Sequence, residues 1–158
     1  MNFQINNASK NDVAPIVEMI REFAAFENLS DYCEVTEESL SDAMFGANSC
    51  VAGLMAFDDD EPIGYALFYE NFASFGGQRG FYLEDLYVKS EYRGQGIGEM
   101  FLKKLAQIAK SKNFVRVDFL VLDWNRAAIG FYKKLGAELN ADERHFRFIG
   151  EAFEELSK

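Results

Sequence analysis

A glycine-rich turn between a strand and a helix restricts the fold of this chain more than any other segment. It lies in the run Val88-Lys-Ser-Glu-Tyr-Arg-Gly-Gln-Gly-Ile-Gly98, between an apolar strand pattern and an amphipathic helix pattern. Three glycines allow the backbone to turn tightly and to approach a ligand closely. Because no Ser, Thr, Asp or Asn caps the helix, its first N–H groups lack an obvious partner. Together with the charge of Arg93, these groups predict an anion site.

Two common phosphate-binding loops do not match this turn. A Walker loop requires Gly-Lys followed by Ser or Thr, and a dinucleotide-binding loop requires GxGxxG within a parallel βαβ unit. The spacing in this chain is GxGxG, after strands that are predicted to form an antiparallel hairpin. On this segment alone, a glycine-rich turn without a ligand stays an open alternative.

The whole chain, residues 1–158, is predicted to form a single domain, because no repeat, low-complexity tract or Pro/Ser-rich linker interrupts it. The predicted strands are residues 3–8, 49–57, 62–72, 81–88 and 114–122, with strands or turns near 137–139 and 145–149. The predicted helices follow Ser9–Asp12 and Gly98 and occupy residues 36–46, 126–135 and 150–156. Asn125 and Gly136 are placed as the cap and the stop of the fourth helix. This order indicates an α/β (α+β) sandwich with a mixed, mostly antiparallel sheet.

The charge of the chain restricts its partners. A formal net charge of −10 argues against nucleic acids and anionic membranes, which are bound by basic surfaces, and favours a cationic ligand. No apolar run approaches the ~18 residues of a membrane span, and the first residues lack a secretory signal pattern. We therefore expect a cytoplasmic protein.

The cysteine and histidine residues form no metal-binding or redox motif. Cys33 and Cys50 fit neither a CxxC pair nor a disulfide framework, so we expect two reduced thiols. His145 is the single histidine and has no second histidine or cysteine nearby in the sequence. We expect no metal site.

Two adjacent carboxylates interrupt the apolar strand Phe81–Val88. Burial of Glu84 and Asp85 is costly unless they are paired or functional. Strand alternation directs them to opposite faces, so a regular strand would place only one of them in a given site. A structural ion pair or a carboxylate at a dimer interface is the alternative to a functional role.

Two motifs carry a resemblance to a known family. Arg93-Gly-Gln-Gly-Ile-Gly98 resembles the pyrophosphate loop of the GNAT acetyltransferase superfamily. Trp124-Asn125, followed by Ala128-Ile129, Phe131-Tyr132 and Leu135-Gly136, resembles the second cofactor motif of that superfamily. Within it, the chain is most similar to the diamine (spermidine/spermine) acetyltransferases and their thialysine-acetylating relatives. The residues behind this similarity are Tyr82–Val88, Tyr92–Gly94, Phe119–Val121, Trp124–Asn125 and Phe131–Lys133.

The resemblance implies a fold and an activity. The implied fold is a six- or seven-stranded sheet, splayed near its middle, in a homodimer. The implied activity is transfer of the acetyl group of acetyl-CoA to a small cationic amine by direct attack, without a metal. Acetylation of a protein or peptide amine, or a non-catalytic acyl-CoA-binding domain, are the alternatives.

The resemblance also implies the roles of individual residues. Glu84 would deprotonate the amine, and Tyr132, which stays protonated at neutral pH, would protonate the leaving thiolate. Acetyl-CoA would contact Leu86, Tyr87, Val88, Arg93, Gly94, Gln95, Gly96, Ile97, Gly98, Glu99, Asn125, Ala128 and Tyr132. The amine would contact Phe26, Glu27, Glu84, Asp85, Phe119 and Leu120. For Glu27, a solvated helix end is the alternative.

Three positions depart from the polyamine enzymes. Ser74 and Gly76 stand where those enzymes carry an acidic residue and a tryptophan, and Phe146 stands where a tryptophan is common. Loss of an acid and an aromatic ring weakens contact with a long cation. A shorter amine such as thialysine, or another amino acid side chain, is therefore an alternative acceptor of equal standing to a polyamine.

Overall fold

The computed structural model describes residues 2–158, which divide into two compact units, one ending at Leu120 and the other beginning at Val121. The strands of the first unit are β1 (Phe3–Asn7), β2 (Ala52–Asp58), β3 (Glu61–Ala73), β4 (Gln78–Val88) and β5 (Arg116–Asp118). Its helices are α1 (Val13–Phe26), α2 (Glu37–Phe45) and α3 (Ile97–Ser111). The second unit contains α4 (Arg126–Lys134) and α5 (Gly150–Leu156). The predicted mixed α/β class is confirmed.

The five strands form one sheet in the order β1-β2-β3-β4-β5. Consecutive strands are antiparallel except for β4 and β5, which are parallel. The β4–β5 ladder runs only from Gly80–Arg116 to Tyr82–Asp118. Beyond Tyr82, this edge of β4 pairs with no strand within residues 2–158. The sheet is therefore open between these two strands.

The prediction of six or seven strands is wrong. Residues 137–149 form no strand, and the predicted strand 114–122 is reduced to Arg116–Asp118. Alternating apolar residues produce a strand only where a neighbouring strand supplies hydrogen-bond partners. For residues 137–149, the described part of the chain supplies no such neighbour.

Two apolar clusters cover the two faces of the sheet. The cluster that we call the α3-side core contains Leu54, Ala56, Ile63, Ala66, Phe68, Phe81, Leu83, Ile97, Phe101, Leu105, Ala109 and Phe114. The cluster that we call the α1-side core contains Val13, Ile16, Val17, Met19, Leu40, Met44, Met55, Tyr65, Leu67 and Tyr87. Each β4 side chain can therefore be assigned to a face by the cluster that it joins.

Local signals set the helix ends. The Thr36 hydroxyl oxygen accepts a hydrogen bond from the Ser39 N–H at 3.1 Å, which satisfies one of the free donors at the start of α2. At the end of α1, Asn28 adopts a left-handed conformation with φ 58°. The Leu29 N–H then donates to the Ala24 carbonyl at 2.8 Å, the pattern of a Schellman motif. Phe26 and Glu27 thus lie at the C-terminal end of α1.

The second unit exposes many of its apolar side chains. Leu139, Phe146, Phe148 and Ile149 are 63%, 86%, 66% and 65% exposed. Such exposure is typical of a surface that a partner covers. Among the described residues, none of the helices combines the length and the apolar character that a bilayer crossing requires.

Candidate active site

The turn before α3 presents unsatisfied backbone donors. Gly94 and Gly96 have φ values of 76° and 85°, which only glycine adopts readily. A Cβ at either position would meet open space, so the restriction is conformational. No side chain caps α3, and within residues 2–158 no acceptor takes the N–H groups of residues 94–98. These donors, at a positive helix end, are suited to a diphosphate.

The Arg93 side chain contacts β4 and α1. Its Nε donates to the Val88 carbonyl at 2.8 Å. Its guanidinium carbon lies 4.7 Å from the ring centre of Phe26 and 5.4 Å from that of Tyr87. The sequence predicted that the charge of Arg93 contributes to an anion site. In the structure, the guanidinium contacts the Val88 carbonyl and the rings of Phe26 and Tyr87.

The other predicted cofactor residues of the first unit lie along the same path. Leu86, Tyr87 and Val88 form the end of β4. Within residues 2–158, no strand pairs with this end of β4 on the side that faces away from β3. Gln95 lies in the turn and donates from Nε2 to the Glu91 carbonyl at 3.2 Å. Ile97 and Glu99 are in the first turn of α3. An extended molecule could therefore continue from the turn along β4.

A β-bulge brings Glu84 and Asp85 to one face, which corrects the prediction of opposite faces. The register with β3 shifts there, since Leu67 pairs with Asp85 but Phe68 pairs with Leu83. Leu83 and Leu86 both pack in the α3-side core, with two residues between them instead of one. The extra residue in a bulge breaks strict alternation. Both carboxylates therefore lie on the α1 side of the sheet.

Asp85 is largely buried beside a buried phenol. The Tyr65 hydroxyl donates to Asp85 Oδ2 at 3.2 Å. Burial raises the pKa of Asp85 to about 6, because the bond from Tyr65 only partly offsets it and the charges of Glu84 and Glu27 raise the pKa further. Asp85 can therefore gain or lose a proton close to neutral pH.

Glu84 is exposed and lies beside two tyrosines. Tyr69 and Tyr82 are cross-strand partners whose rings stack at 5.2 Å. Burial and then the Glu84 carboxylate raise the pKa of both Tyr69 and Tyr82. These two phenols remain hydrogen-bond donors next to the Glu84 carboxylate.

Glu27 completes a cluster of three carboxylates. Burial raises its pKa, and its charge acts on Asp85. Among residues 2–158, none of the ion pairs involves Glu27, Glu84 or Asp85. Three carboxylates without a basic partner attract a cation. Those residues also include no group of His, Cys, Asp and Glu arranged to hold a metal ion.

The remaining predicted cofactor residues lie in the second unit. Asn125 caps α4, because its Oδ1 accepts from the Ala128 N–H at 3.1 Å. Tyr132 is in the last part of α4, and burial raises its pKa to about 12. The phenol therefore holds its proton at neutral pH. Gly136, at φ 89°, ends the helix as the sequence predicted.

The two remaining candidate acceptor residues differ in exposure. Phe119 follows β5 and packs against the α3-side core, whereas Leu120 is 61% exposed. Sequence reasoning missed Tyr65, Tyr69, Tyr82 and Glu22 as neighbours of the candidate site residues. Tyr82 was within a recognised motif, but the other three carried no local signal.

Comparison with known proteins identifies the family of this architecture. Residues 17–137 match the family model described as the acetyltransferase (GNAT) family. The chain is 42% identical to a thialysine N-epsilon-acetyltransferase from Sus scrofa, over 97% of this chain and 96% of that protein. It is 38% identical to a human spermidine/spermine N(1)-acetyltransferase-like protein, over 92% of this chain and 22% of that protein.

A solved structure has the same fold. An integron cassette protein from V. cholerae superposes with a TM-score of 0.81 at 29% identity, covering 100% of this chain and 99% of the other. The fold is thus shared with a known structure.

Proposed function

Since the chain belongs to the GNAT family and is an N-acetyltransferase, we propose that it moves an acetyl group from acetyl-CoA to a small cationic amine. The observation that carries the proposal is the cluster of Glu27, Glu84 and Asp85, which has no basic partner among the described residues. An ammonium group would offset part of its negative charge. The glycine turn at 93–98 supports acetyl-CoA as the source of the acetyl group, because the backbone N–H groups of the turn are suited to bind a diphosphate.

The proposed roles follow from the chemistry of amine acetylation. Bound acetyl-CoA supplies an activated acetyl thioester. The backbone N–H groups of the turn bind and orient the diphosphate, and the end of β4 contacts the rest of acetyl-CoA. In the second unit, Asn125 and Ala128 are the proposed acetyl-CoA contacts, on the resemblance of their motif. Glu84, with Asp85 beside it, takes a proton from the acceptor ammonium, so that the amine can attack. Tyr132 donates its hydroxyl proton to the departing sulfur, since its raised pKa keeps the phenol protonated.

The acceptor that we propose is a short diamine-like molecule of the thialysine type. The high identity to a thialysine N-epsilon-acetyltransferase over nearly the full length supports it. Ser74 and Gly76, which lack charge and an aromatic ring, also favour a shorter cation over a polyamine. Phe26, Glu27, Phe119 and Leu120 are its proposed neighbours, beside the two carboxylates of β4.

A panel of amines tests this function. We expect thialysine to release CoA from acetyl-CoA with a higher kcat/KM than spermidine, and both with a higher kcat/KM than lysine-containing peptides. The rate should fall with added salt, because charge attraction to the carboxylates is screened. A preference for peptides would favour a protein acceptor, and CoA binding without release for any amine would indicate a non-catalytic domain.

Residues 1–158 are proposed to act as one domain in a cytoplasmic homodimer. The family match extends from the first unit into the second, which supports one domain. The exposed Leu139, Phe146 and Phe148 supply apolar surface for a second copy.

Sedimentation at low and high concentration should give twice the monomer mass of 18.0 kDa. A Phe146→Ser, Phe148→Ser variant should sediment as a monomer, and a monomeric wild type would contradict the homodimer.

A further inference from the structure

The Arg93 side chain connects two regions that the proposed function assigns to different substrates. Arg93 precedes the turn whose donors suit the diphosphate. Its guanidinium lies 4.7 Å from the ring of Phe26, the last residue of α1, and Glu27 follows directly. The Arg93 side chain thus links the glycine turn, where acetyl-CoA is proposed to bind, to the end of α1, where the amine is proposed to bind.

A second connection to α1 runs through Tyr87. The Arg93 guanidinium lies 5.4 Å from the Tyr87 ring, and the Tyr87 hydroxyl donates to Glu22 Oε2 at 2.9 Å. Glu22 and Phe26 are four residues apart and therefore share a face of α1. The guanidinium is held at β4 as well, through the bond from Nε to the Val88 carbonyl.

The backbone on the other side of Arg93 presents donors to a ligand. A Cβ added at Gly94 or Gly96 would meet open space, and the N–H groups of residues 94–98 have no acceptor within residues 2–158. A diphosphate on these groups would fix the turn and with it the backbone of Arg93. The contact of the guanidinium with Phe26 would carry that restriction to the end of α1.

We propose that Arg93 is a positioning residue that transmits donor binding at the turn to the acceptor-side end of α1. Its guanidinium acts through Phe26 and Tyr87 and is not a diphosphate ligand. The proposal rests on the proposed function for the identity of the two substrates. Donor binding should therefore raise the affinity for the amine, and the amine should raise the affinity for the donor by the same factor.

Backbone hydrogen exchange with CoA as the probe tests the connection without catalysis. We expect saturating CoA to slow exchange of the amides in residues 24–33 of the wild type by about threefold or more. The Arg93→Met variant should lose this protection but keep protection of residues 94–99. Arg79→Met is the matched control, because Arg79 also lies over an aromatic ring, 4.8 Å from the centre of Phe114, and is remote from the turn.

Kinetics and binding separate this role from direct binding of phosphate. For Arg93→Met, we expect the KM of the amine to rise about 3- to 10-fold, and the Kd of CoA to change by less than about twofold. Because Phe26 is also a proposed neighbour of the amine, the hydrogen-exchange readout is used for it: Phe26→Leu should weaken the protection of residues 24–33 by CoA, and adding it to Arg93→Met should weaken that protection little further. Arg93→Lys should recover part of the effect, since lysine retains a cation over the ring.

Three results would overturn the proposal. The first is that CoA protects residues 24–33 of Arg93→Met from hydrogen exchange as strongly as those of the wild type. The second is that CoA does not protect residues 24–33 of the wild type. The third is a rise of more than about tenfold in the Kd of CoA with an unchanged KM for the amine, which would make Arg93 a diphosphate ligand. A wild type that binds no CoA would refute the proposed function itself.

Discussion

Replacement of Tyr132 by phenylalanine is expected to lower turnover by about 10²–10⁴-fold while the affinity for CoA stays nearly unchanged. The change removes one hydroxyl and retains the ring, which lies 5.0 Å from that of Phe131. Burial raises the pKa of Tyr132 to about 12, so the group is a proton donor throughout the physiological range. A sulfur that leaves without a proton donor must depart as a free thiolate, which raises the barrier.

The measurement is kcat by thiol release, with the Kd of CoA determined by calorimetry. Tyr92→Phe is the matched control, because the Tyr92 hydroxyl donates to Glu61 Oε2 at 3.1 Å, at the start of β3. That variant should retain wild-type turnover. If Tyr132→Phe also turned over at the wild-type rate, Tyr132 would have no part in the reaction.

Replacement of Asp85 by asparagine is expected to stabilise the protein at neutral pH by roughly 1–3 kcal/mol and to lower its activity. The pKa of Asp85 is raised from 3.8 to about 6, so the folded state holds the proton more tightly than the unfolded state. Between these values, the folded protein binds more protons, and the free energy of unfolding falls as the pH rises. Asparagine removes this loss and still accepts the bond from Tyr65.

Denaturant unfolding from pH 4 to pH 8 measures this effect. The difference in unfolding free energy between Asp85→Asn and the wild type should grow from about pH 4 to pH 6 and then stay constant. Asp31→Asn, at an exposed carboxylate, is the matched control and should show no such growth. A variant that is less stable than the wild type at pH 7 would mean that the carboxylate is held by favourable contacts.

The Asp85→Asn variant also tests whether the cluster of Glu27, Glu84 and Asp85 binds the amine. Loss of one of three carboxylates should raise the KM of a cationic amine, because the remaining charge attracts it less. A gain in stability with a loss of activity is the pattern of a site that retains unfavourable charge for binding. If activity were unchanged, Asp85 would not contribute to the acceptor site.

Helix ends were predictable from the sequence because their signals are local. Thr36, Asn125 and Gly136 each act within a few residues along the chain, by capping a free donor or adopting a left-handed conformation. The glycine turn was recognised for the same reason. These features needed no knowledge of which strands lie side by side.

The placement of the carboxylates was not predictable, because it depends on register. Alternation along β4 predicted opposite faces for Glu84 and Asp85, and only the pairing with β3 reveals the bulge. Tyr65 and Tyr69 become neighbours of these acids through the same pairing. Residues 137–149 show the converse case, since an alternating pattern without an adjacent strand forms no strand.

The bulge in β4 also means that chain length, and not only residue type, sets the charge of the acceptor face. Deletion of Glu84 would let Leu83, Asp85 and Leu86 return to strict alternation, with a single acid directed toward α1. Such a deletion changes no other side chain and leaves the glycine turn intact. The gain or loss of one residue in this strand would therefore change by one the number of β4 carboxylates that face α1.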